Sequence, residues 1–429
     1  MKRQKPTRRS LLIAVQVAIL APVLWLTVAS AGDETYQRLE LFTDVLAIVE
    51  KSYVEPVDLT ELIYGGIRGM LATLDPHSSF LSPEMYQDMK ADTHGEFGGV
   101  GIEIAVRDGQ LLVVAPIEGT PADEAGIEAG DLIRAIDGVL IKDAELMPAV
   151  RQLRGAKGDA VTLTIWRDGF DQPRDYTLVR DIIHINSIKG RLLEPGYGYV
   201  KITQFQEKTG ADLEKELDRL HTFDSPLKGL ILDLRNNPGG LLDQAVAVAD
   251  QFLSEGLIVY TEGREEGSQM RFSATSSGTE PDYPLVVLIN GGSASASEIV
   301  AGALRDHGRA LILGEKSFGK GSVQTIIPLS DDSGLRLTTA RYFTPSGVSI
   351  QARGIEPDIV VSGLRLESKG DTAHFREGDL KNHIDQPNAA SQSTETTGPH
   401  LSDTDQTDFQ LMRAFDLLKG LELLRGMTS

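Results

Sequence analysis

Three serines in the segment Ser-Ala-Ser-Ala-Ser at 293–297 directly follow an apolar run, in a pattern that suits a catalytic nucleophile. Residues 285–289 have the length and β-branched content of a buried strand, residues 290–292 interrupt it, and helical periodicity begins near Glu298. Such a turn holds a serine hydroxyl near the unpaired N–H groups and the positive end of a helix. These groups can stabilise the oxyanion that forms when the hydroxyl attacks a carbonyl. The residues alone do not choose among Ser293, Ser295 and Ser297.

Lys320 is the best candidate for the general base. A serine–histidine–aspartate site needs a histidine, but the nearest one, His307, follows Ser295 by about three helical turns and points away from the helix start. Lys320 lies between two glycines, where backbone can pack closely and exclude water. Burial would have to bring the pKa of its amine down towards neutrality. Gln324, four residues on, returns to the same face in either a strand or a helix, so its amide can orient the amine.

The elements that position these residues alternate between strands and helices. Apolar runs at 229–235, 285–289 and 310–313 predict buried strands, and helical patterns occupy 241–253 and the residues after Glu298. This order predicts a layered α/β core over residues 181–364. Further strands are expected at 197–202, 322–329 and 335–342, and a further helix at 211–220.

Residues 93–180 combine short strands and two short helices with a glycine-rich turn, Gly-Gly-Val-Gly-Ile at 98–102. Together with Ala-Gly-Asp-Leu-Ile at 129–133, this turn resembles a PDZ domain. Consecutive backbone N–H groups in the turn can bind the terminal carboxylate of a peptide while the adjoining strand pairs with the peptide backbone. The peptide-binding candidates are Gly99, Val100, Gly101 and Ile102. A small β domain without a ligand is the alternative.

Helical patterns also lie before this domain and after the core. Residues 33–92 have apolar residues at helical spacing in 34–54 and 59–74, which predicts two helices that form a small lead-in domain or a partner-docking arm. A second copy of the chain and an activating adaptor protein are the candidate partners besides the substrate. Residues 365–408 are rich in polar residues and predict a mobile linker. Residues 409–429 predict an amphipathic helix that has to bury its apolar stripe on the body of the protein or on a partner.

The N-terminus has the composition of an export signal. Five basic residues at positions 2–9 precede residues 11–31, which carry no charge and end in Ala-Ser-Ala, a pattern typical of a signal-peptidase site. The uncharged stretch is also long enough to span a bilayer uncleaved. Residues 1–31 are therefore predicted to be a signal peptide or a signal anchor. Either predicts a location in the periplasm or at the outer face of the inner membrane.

Charge and cysteine content exclude several classes of function. The 429-residue chain has a net charge of −20, which becomes −25 when the five basic residues of the N-terminal 31 are removed. Such an acidic surface argues against nucleic acid and anionic lipid as partners of the body. The chain has no cysteine, which excludes thiol catalysis and disulfides. No cluster of ligands has coordination spacing, so no metal or other cofactor is expected.

Four features together resemble the carboxyl-terminal-processing (tail-specific) serine proteases. They are the segments 292–298, 318–324 and 233–240 and the PDZ-like domain in front, and the similarity covers roughly residues 35–362. The resemblance implies a multidomain α/β protein with N-terminal helices, an inserted PDZ domain and a crotonase-like or ClpP-like protease core, followed by a linker and a C-terminal helix. It also implies an exported serine endopeptidase that cleaves proteins near the C-terminus while the PDZ domain holds the tail.

The resemblance assigns a role to each residue of the site. It makes Ser295 the nucleophile, Lys320 the general base and Gln324 the orienting partner of the lysine. The N–H groups of Ala296 and Gly240 become the oxyanion hole, with Gly239 as the alternative to Gly240.

Arg154 is a candidate regulatory residue. It ends the second predicted helix of the PDZ domain, where a fixed cation can sense a bound carboxylate tail or pair with the protease body. A solvated surface arginine is the alternative.

Two other functions fit parts of the sequence. Residues 314–321 nearly match the phosphate loop GxxxxGK[ST], but Gly321 replaces the Ser or Thr that would bind Mg²⁺, and a strand-like segment follows where a helix is required. In the second alternative the chain is a non-catalytic PDZ adaptor of the cell envelope, and the serine turn only packs a strand against a helix. Nucleotide affinity and peptidase activity on an unfolded tail distinguish these functions from the protease.

Overall fold

The computed structural model describes residues 36–141, 145–223, 226–265, 267–363 and 401–428. The predicted export segment and residues 365–400 of the predicted linker lie outside these ranges. The chain forms two compact units, Met1–Ser82 and Pro83–Ser429. No helix in the described ranges is long and apolar enough to cross a bilayer.

The first unit consists of two helices and a short strand: α1 (36–52), α2 (Leu59–Ala72) and β1 (Ser79–Leu81). Asp58 caps α2, because its carboxylate accepts a hydrogen bond from Thr60 N at 2.8 Å. The rings of Tyr64 and Phe80 lie 4.6 Å apart and link α2 to β1. Both helices predicted for this region are present.

The second unit begins with a domain built on an antiparallel sheet. Its elements are α3 (Pro83–His94), β2 (Glu96–Gly99), β3 (Ile102–Arg107), β4 (Gln110–Pro116), α4 (Pro121–Glu124), β5 (Leu132–Ile136), β6 (Val139–Leu140), α5 (Leu146–Leu153), β7 (Ala160–Trp166), β8 (Arg174–Val179) and β9 (Asp181–His184). The sheet has the order β3-β4-β5-β7-β8, with β6 paired to β5, and β2 pairs with β9 at the base of the domain. Val113, Leu153 and Leu163 belong to a core of its own. The domain has the predicted PDZ-like arrangement of short strands with two short helices, α4 and α5, and α3 precedes it.

The rest of the second unit forms a larger domain. Its elements are β10 (Ile188–Glu194), β11 (Tyr197–Ile202), α6 (Thr209–His221), β12 (Gly229–Asp233), α7 (Leu242–Asp250), β13 (Leu257–Gly263), β14 (Met270–Ser273), β15 (Leu285–Ile289), α8 (Ala296–Asp306), β16 (Leu311–Gly314), β17 (Ser322–Pro328), β18 (Gly334–Phe343), β19 (Ile359–Val360), α9 (Asp403–Thr407) and α10 (Phe409–Thr428).

The central sheet of this domain has the order β10-β11-β12-β15-β16-β19, antiparallel in the first pair and parallel in the others. Successive strand residues point to opposite faces. Leu230 and Leu232 therefore join the core formed with α6, α7 and α8, whereas Ile231 packs with α10 on the other face. Helices cover both faces of the sheet, which confirms the predicted layered α/β core.

A second group of strands carries the lysine loop. β17, β18, β13 and β14 pair antiparallel in that order. Val323 of β17 and Tyr342 of β18 are buried in the same core as α8. The loop between β16 and β17 therefore runs between two packed strands, and it holds Lys320.

Residues 401–408, which were predicted to end a mobile linker, are ordered around a short helix. Residues 401–408 contain α9, which begins with a capping box in which Asp405 N donates to Ser402 Oγ and Ser402 N donates to Asp405 Oδ2. Asp405 also forms an ion pair with Arg191 of β10. The polar residues that favoured a linker thus serve here as helix caps and long-range ion partners, so the linker prediction was wrong for residues 401–408. The predicted C-terminal helix is present, and its first half buries Leu411, Ala414, Phe415 and Leu418 on the sheet. Leu423, Leu424 and Met427 near its end are exposed.

Candidate active site

Ser295 lies at the bend between β15 and α8. Its backbone has φ 54° and ψ −112°, a conformation that costs an ordinary residue about 1–3 kcal/mol. Two hydrogen bonds hold the bend: Ser295 N donates to Glu298 Oε2 at 2.8 Å, and Glu298 N donates to Ser295 O at 2.9 Å. The bend places the serine at the N-terminal end of α8, where backbone N–H groups lack intrahelical partners.

The hydroxyl groups of the three serines have different surroundings. Ser293 Oγ donates to Leu234 O at 2.8 Å, and Ser297 Oγ donates to Asn237 O at 3.0 Å; both side chains are fully buried. Ser295 is 7% exposed and is the N-cap of α8, and in the described ranges its hydroxyl donates a hydrogen bond to no acceptor. Of the three, Ser295 has the hydroxyl that is free to react, which is the choice that the residues alone left open.

The turn after β12 lies directly beside Ser295. A β-carbon at Gly239 would come within 2.8 Å of Ser295 Cβ and 3.0 Å of Ala296 N, so only glycine fits there. Gly239 N donates to Asn237 Oδ1 at 2.9 Å, whereas the N–H groups of Gly240 and Ala296 donate to no protein acceptor in the part of the chain that the structure describes. Gly240 and Ala296 therefore have the free donors that an oxyanion hole needs.

The turn after β12 and the serine bend are joined by several hydrogen bonds. Asn236 N donates to Asn290 Oδ1, and Asn290 Nδ2 donates to Asn236 Oδ1, both at 2.9 Å. Ala294 N donates to Asn237 O at 3.0 Å. These three bonds join the turn that contains Gly240 to the bend that contains Ala296.

Glu298 connects the serine bend to the lysine loop. Its side chain is fully buried, and its carboxylate accepts four hydrogen bonds. The donors are Ser295 N at 2.8 Å, Ser317 Oγ at 2.5 Å, Gly319 N at 2.7 Å and Lys320 N at 2.9 Å. Burial raises the pKa of Glu298, while these hydrogen bonds act in the opposite direction. One carboxylate oxygen, Oε2, binds the backbone of both Ser295 and Lys320 and so brings the two residues together.

Lys320 has the partly buried position that the sequence predicts for a base. Burial lowers the pKa of its amine, the positive charge of Arg336 lowers it further, and the negative charge of Glu298 opposes both effects. The glycine after Lys320 is required, because a β-carbon at Gly321 would lie 2.3 Å from Gln351 N. In the described residues, no hydrogen bond joins Lys320 Nζ to Ser295 Oγ.

Gln324 is placed differently from the prediction. It lies on β17 opposite Thr338, and its amide donates to Ser322 Oγ at 2.8 Å. Within the described residues, no hydrogen bond joins it to Lys320. The partner of the Gln324 amide is thus Ser322, the first residue of β17, two residues after Lys320.

Arg336 and Glu298 are functional candidates that the sequence reasoning did not single out. Arg336 is on β18, two residues before the cross-strand partner of Gln324 and hence on the same face of the sheet. Its Nε is buried without a hydrogen-bond partner among the described residues. Nothing local in the sequence marks Arg336. Glu298 had a local signal, because Ser295 and Glu298 have the spacing of a capping box.

The loop that holds Lys320 is not a phosphate loop. It is followed by β17 and not by a helix, and the N–H groups of Gly319 and Lys320 already bind the carboxylate of Glu298. This geometry contradicts the nucleotide-binding alternative.

The predicted peptide site forms a groove of about 420 Å³ in the PDZ-like domain. Its lining includes Phe97, Gly99, Val100, Gly101, Ile102, Leu146, Val150, Leu153 and Arg154. The N–H groups of Val100 and Gly101 donate to no acceptor in the described ranges. A β-carbon at Gly101, which has φ 78°, would lie 2.3 Å from Thr120 Cβ. The groove thus combines an apolar wall with two adjacent free donors.

Arg154 contacts α3. Its guanidinium lies 4.9 Å from the ring centroid of Phe97, and its nitrogens lie 3.4 Å from Asp88 Oδ1 and 3.6 Å from Asp92 Oδ1. The side chain is 28% exposed. It is therefore an ion-paired residue beside the groove and not a solvated surface arginine.

Comparison with protein-family models gives three matches. Residues 196–361 match peptidase family S41, residues 112–167 match a PDZ domain, and residues 26–85 match the N-terminal domain of the activating protease CtpB. The first match contains the serine bend and the lysine loop.

Comparison with known proteins gives similar results. The chain is 48% identical over 391 residues to a carboxy-terminal-processing protease from Bartonella bacilliformis, with 90% of each chain covered. It is 42% identical over 337 residues to a carboxyl-terminal-processing protease from Synechocystis sp., with 77% of each covered. A solved structure of the photosystem II D1 C-terminal processing protease is 34% identical and covers 75% of this chain and 92% of its own, with a TM-score of 0.45.

Proposed function

Because this chain belongs to peptidase family S41, the carboxyl-terminal-processing serine proteases, we propose that Ser295 is its nucleophile and Lys320 its general base. The protein is a serine-type endopeptidase that cleaves protein substrates near their C-terminus, and it contains a PDZ domain. The alternative of a non-catalytic adaptor is therefore not retained.

The observation that carries the assignment of the two residues is the carboxylate of Glu298. It binds Ser295 N at 2.8 Å and Lys320 N at 2.9 Å with the same oxygen. The free hydroxyl of Ser295 and the lowered pKa of Lys320 support the same assignment. A lysine whose pKa is lowered and a serine whose hydroxyl donates to no acceptor, joined through one carboxylate oxygen, suit a serine–lysine mechanism.

In the proposed mechanism, neutral Lys320 Nζ takes the proton of Ser295 Oγ as this oxygen attacks the carbonyl carbon of the scissile bond. The resulting oxyanion accepts hydrogen bonds from the N–H groups of Ala296 and Gly240. When the C–N bond breaks, the Lys320 ammonium gives its proton to the leaving amine, and the acyl group remains on Ser295. Water then hydrolyses the acyl-enzyme by the same steps, with Lys320 again as the base. The orienting role of Gln324 remains a prediction.

We further propose that the PDZ groove binds the free C-terminal tail of the substrate. The carboxylate accepts hydrogen bonds from Val100 N and Gly101 N, and the last side chain enters the apolar part of the groove. Arg154 is the candidate that transmits tail binding, since it lines the groove and pairs with Asp88 and Asp92 of α3. A regulatory Arg154 changes turnover more than peptide affinity when it is replaced by alanine.

The proposed location is the periplasm or the outer face of the inner membrane. The support for it is the basic, apolar and small-residue order of residues 1–31, as a signal peptide or as an anchor formed by residues 11–31. The N-terminal helices α1 and α2 are the proposed docking region for a second copy or an activating adaptor protein.

The test of the proposed function uses an unfolded protein substrate with a free C-terminus. Mass spectrometry of the peptides released by the wild type should show cuts near the C-terminus, and Ser295→Ala should release none. Amidation of the substrate tail should slow the wild type. Equal release by the wild type and Ser295→Ala would show that the nucleophile is misassigned.

A further inference from the structure

The C-terminal segment 401–428 contacts Arg235, the residue that precedes the turn with the proposed oxyanion donor. α10 lies on the face of the central sheet opposite α8, with Leu411, Phe415 and Leu418 fully buried or nearly so. Its first turn reaches the carboxyl end of β12, where the turn 236–240 begins. The segment therefore adds contacts to the catalytic domain at the residue that starts this turn.

The contact is an ion pair between Asp408 and Arg235. Arg235 Nη1 donates to Asp408 Oδ1 at 2.9 Å and Arg235 Nη2 donates to Asp408 Oδ2 at 2.8 Å, a bidentate geometry that fixes the guanidinium plane. Gln410 Oε1 accepts a further hydrogen bond from Arg235 Nη1 at 3.1 Å. The Arg235 side chain is only 12% exposed, so solvent screens the pair less than it would at the surface.

Arg235 is held on its other side by Asp233, the last residue of β12. Arg235 Nε and Nη2 donate to the fully buried Asp233 carboxylate at 2.9 and 2.7 Å, and Tyr199 Oη donates to it at 2.8 Å. Arg235 thus has one carboxylate from the sheet and one from the C-terminal segment. Loss of Asp408 leaves it still paired with Asp233, so the buried cation is never without a counterion.

The residue after Arg235 begins the turn in the left-handed region. Asn236 has φ 57°, a conformation that asparagine adopts more readily than most residues. From Asn236 onwards the turn is held by Asn290, Ile202 O and the serine bend. Arg235 precedes the turn and is bonded covalently to Asn236, and its backbone N–H and its Nε both donate to Asp233 Oδ1 at 2.9 Å. A change in the position of Arg235 therefore passes into the turn that ends with Gly240 N.

We infer that Asp408 is a positioning residue for catalysis, which holds Arg235 and thereby the oxyanion donor of Gly240. This inference rests on the proposed role of Gly240 and Ser295. It gives the C-terminal segment a part in transition-state stabilisation that acts through Arg235.

Asp408→Asn is a specific probe of this role. Asparagine still accepts the hydrogen bond from Leu411 N, now 3.0 Å from Asp408 Oδ1, and is as good a helix cap as aspartate. It removes the charge and replaces one of the two oxygens that bind Arg235 by a donor. The matched control is Glu194→Gln, which removes a carboxylate that pairs with Lys419 of α10 at 2.7 Å but contacts no residue of the turn.

The expected result is a kinetic effect confined to Asp408→Asn. A misplaced oxyanion donor lowers kcat by about tenfold and changes KM little, since full removal of a donor costs about 10²–10³-fold. The affinity for a peptide boronate, which forms a tetrahedral adduct with the serine, should fall by the same factor as kcat/KM. Glu194→Gln should match the wild type in all three quantities. Rates are expressed per folded enzyme, with the folded fraction measured by near-ultraviolet circular dichroism.

Several results would overturn the inference. They are a wild-type kcat for Asp408→Asn, an equal loss in Glu194→Gln, or a loss of kcat without loss of boronate affinity. Ser295→Ala in the same series separates this inference from the proposed function. If Ser295→Ala is inactive and Asp408→Asn resembles the wild type, only the inference fails; if Ser295→Ala turns over substrate, the proposed function fails and the inference with it.

Discussion

Replacement of Glu298 by glutamine tests the connection between the serine bend and the lysine loop. In its best orientation, the glutamine oxygen takes the place of Oε2 and keeps the hydrogen bonds from Ser295 N and Lys320 N. The amide nitrogen then faces Ser317 Oγ, which can accept a hydrogen bond, and Gly319 N, which cannot. One buried N–H group loses its acceptor, which costs about 1–3 kcal/mol. We expect the free energy of unfolding of the protease domain to fall by this amount.

The same substitution also predicts a change in the pH dependence of activity. The negative charge of Glu298 raises the pKa of Lys320. Its removal lowers this pKa, so a larger fraction of the amine is neutral at a given pH, and the rising limb of kcat/KM moves to lower pH. The assay is kcat/KM against pH for the wild type and Glu298→Gln, with stability measured by urea denaturation. This account of Glu298 would be refuted if Glu298→Gln had the free energy of unfolding of the wild type and the rising limb of its kcat/KM profile moved to higher pH.

The remaining predictions concern the serine, the electrostatics of the base and the groove. Ser295→Ala should abolish turnover, whereas Ser293→Ala should lose about 1–3 kcal/mol of stability and keep its activity per folded enzyme; an inactive but folded Ser293→Ala would contradict the assignment. Arg336→Gln removes a charge that lowers the pKa of Lys320, so the rising limb of kcat/KM should move to higher pH, opposite to Glu298→Gln; a shift to lower pH would count against this role. Gly101→Ala places a methyl group against Thr120 and strains a backbone with positive φ. Calorimetry should show that the variant no longer binds a tail peptide, while cleavage of a short tail-less peptide continues. Wild-type affinity for the tail would rule out the proposed carboxylate site.

Most of the central sheet could be predicted from the sequence because its strands are buried on both faces. Such strands appear as continuous apolar runs, and the runs at 229–235, 285–289 and 310–313 coincide with β12, β15 and β16 within two residues. The glycine turns after β12 and β15 followed from the same pattern. Local sequence was sufficient to predict these strands and the helices between them, since each has its own run or periodic pattern of apolar residues.

The C-terminal segment could not be predicted in the same way. α9 has few apolar residues, and its position depends on the pair between Asp405 and Arg191, which are far apart in sequence. The ion pair of Asp408 with Arg235 is of the same kind. A polar composition indicates a linker when such distant partners are unknown.

The choice of the serine and the orientation of Gln324 also depended on distant contacts. The hydroxyls of Ser293 and Ser297 are occupied by carbonyl groups of Leu234 and Asn237, some sixty residues earlier in the chain. The apolar pattern of residues 322–329 correctly predicted a strand at Gln324, but the spacing from Lys320 could not show that the partner of its amide is Ser322. Spacing places a residue on a face, whereas its hydrogen-bond partner is decided by the packing around it.

The most direct test of the central claim is to locate the acyl group during turnover. The enzyme is mixed with a peptide ester whose acyl-enzyme hydrolyses slowly, quenched in acid, digested and analysed by tandem mass spectrometry. The proposed mechanism predicts one adduct, on Ser295, that accumulates in the wild type and is absent from Lys320→Ala. An adduct on Ser293, Ser297 or Lys320, or turnover without any adduct, would contradict it.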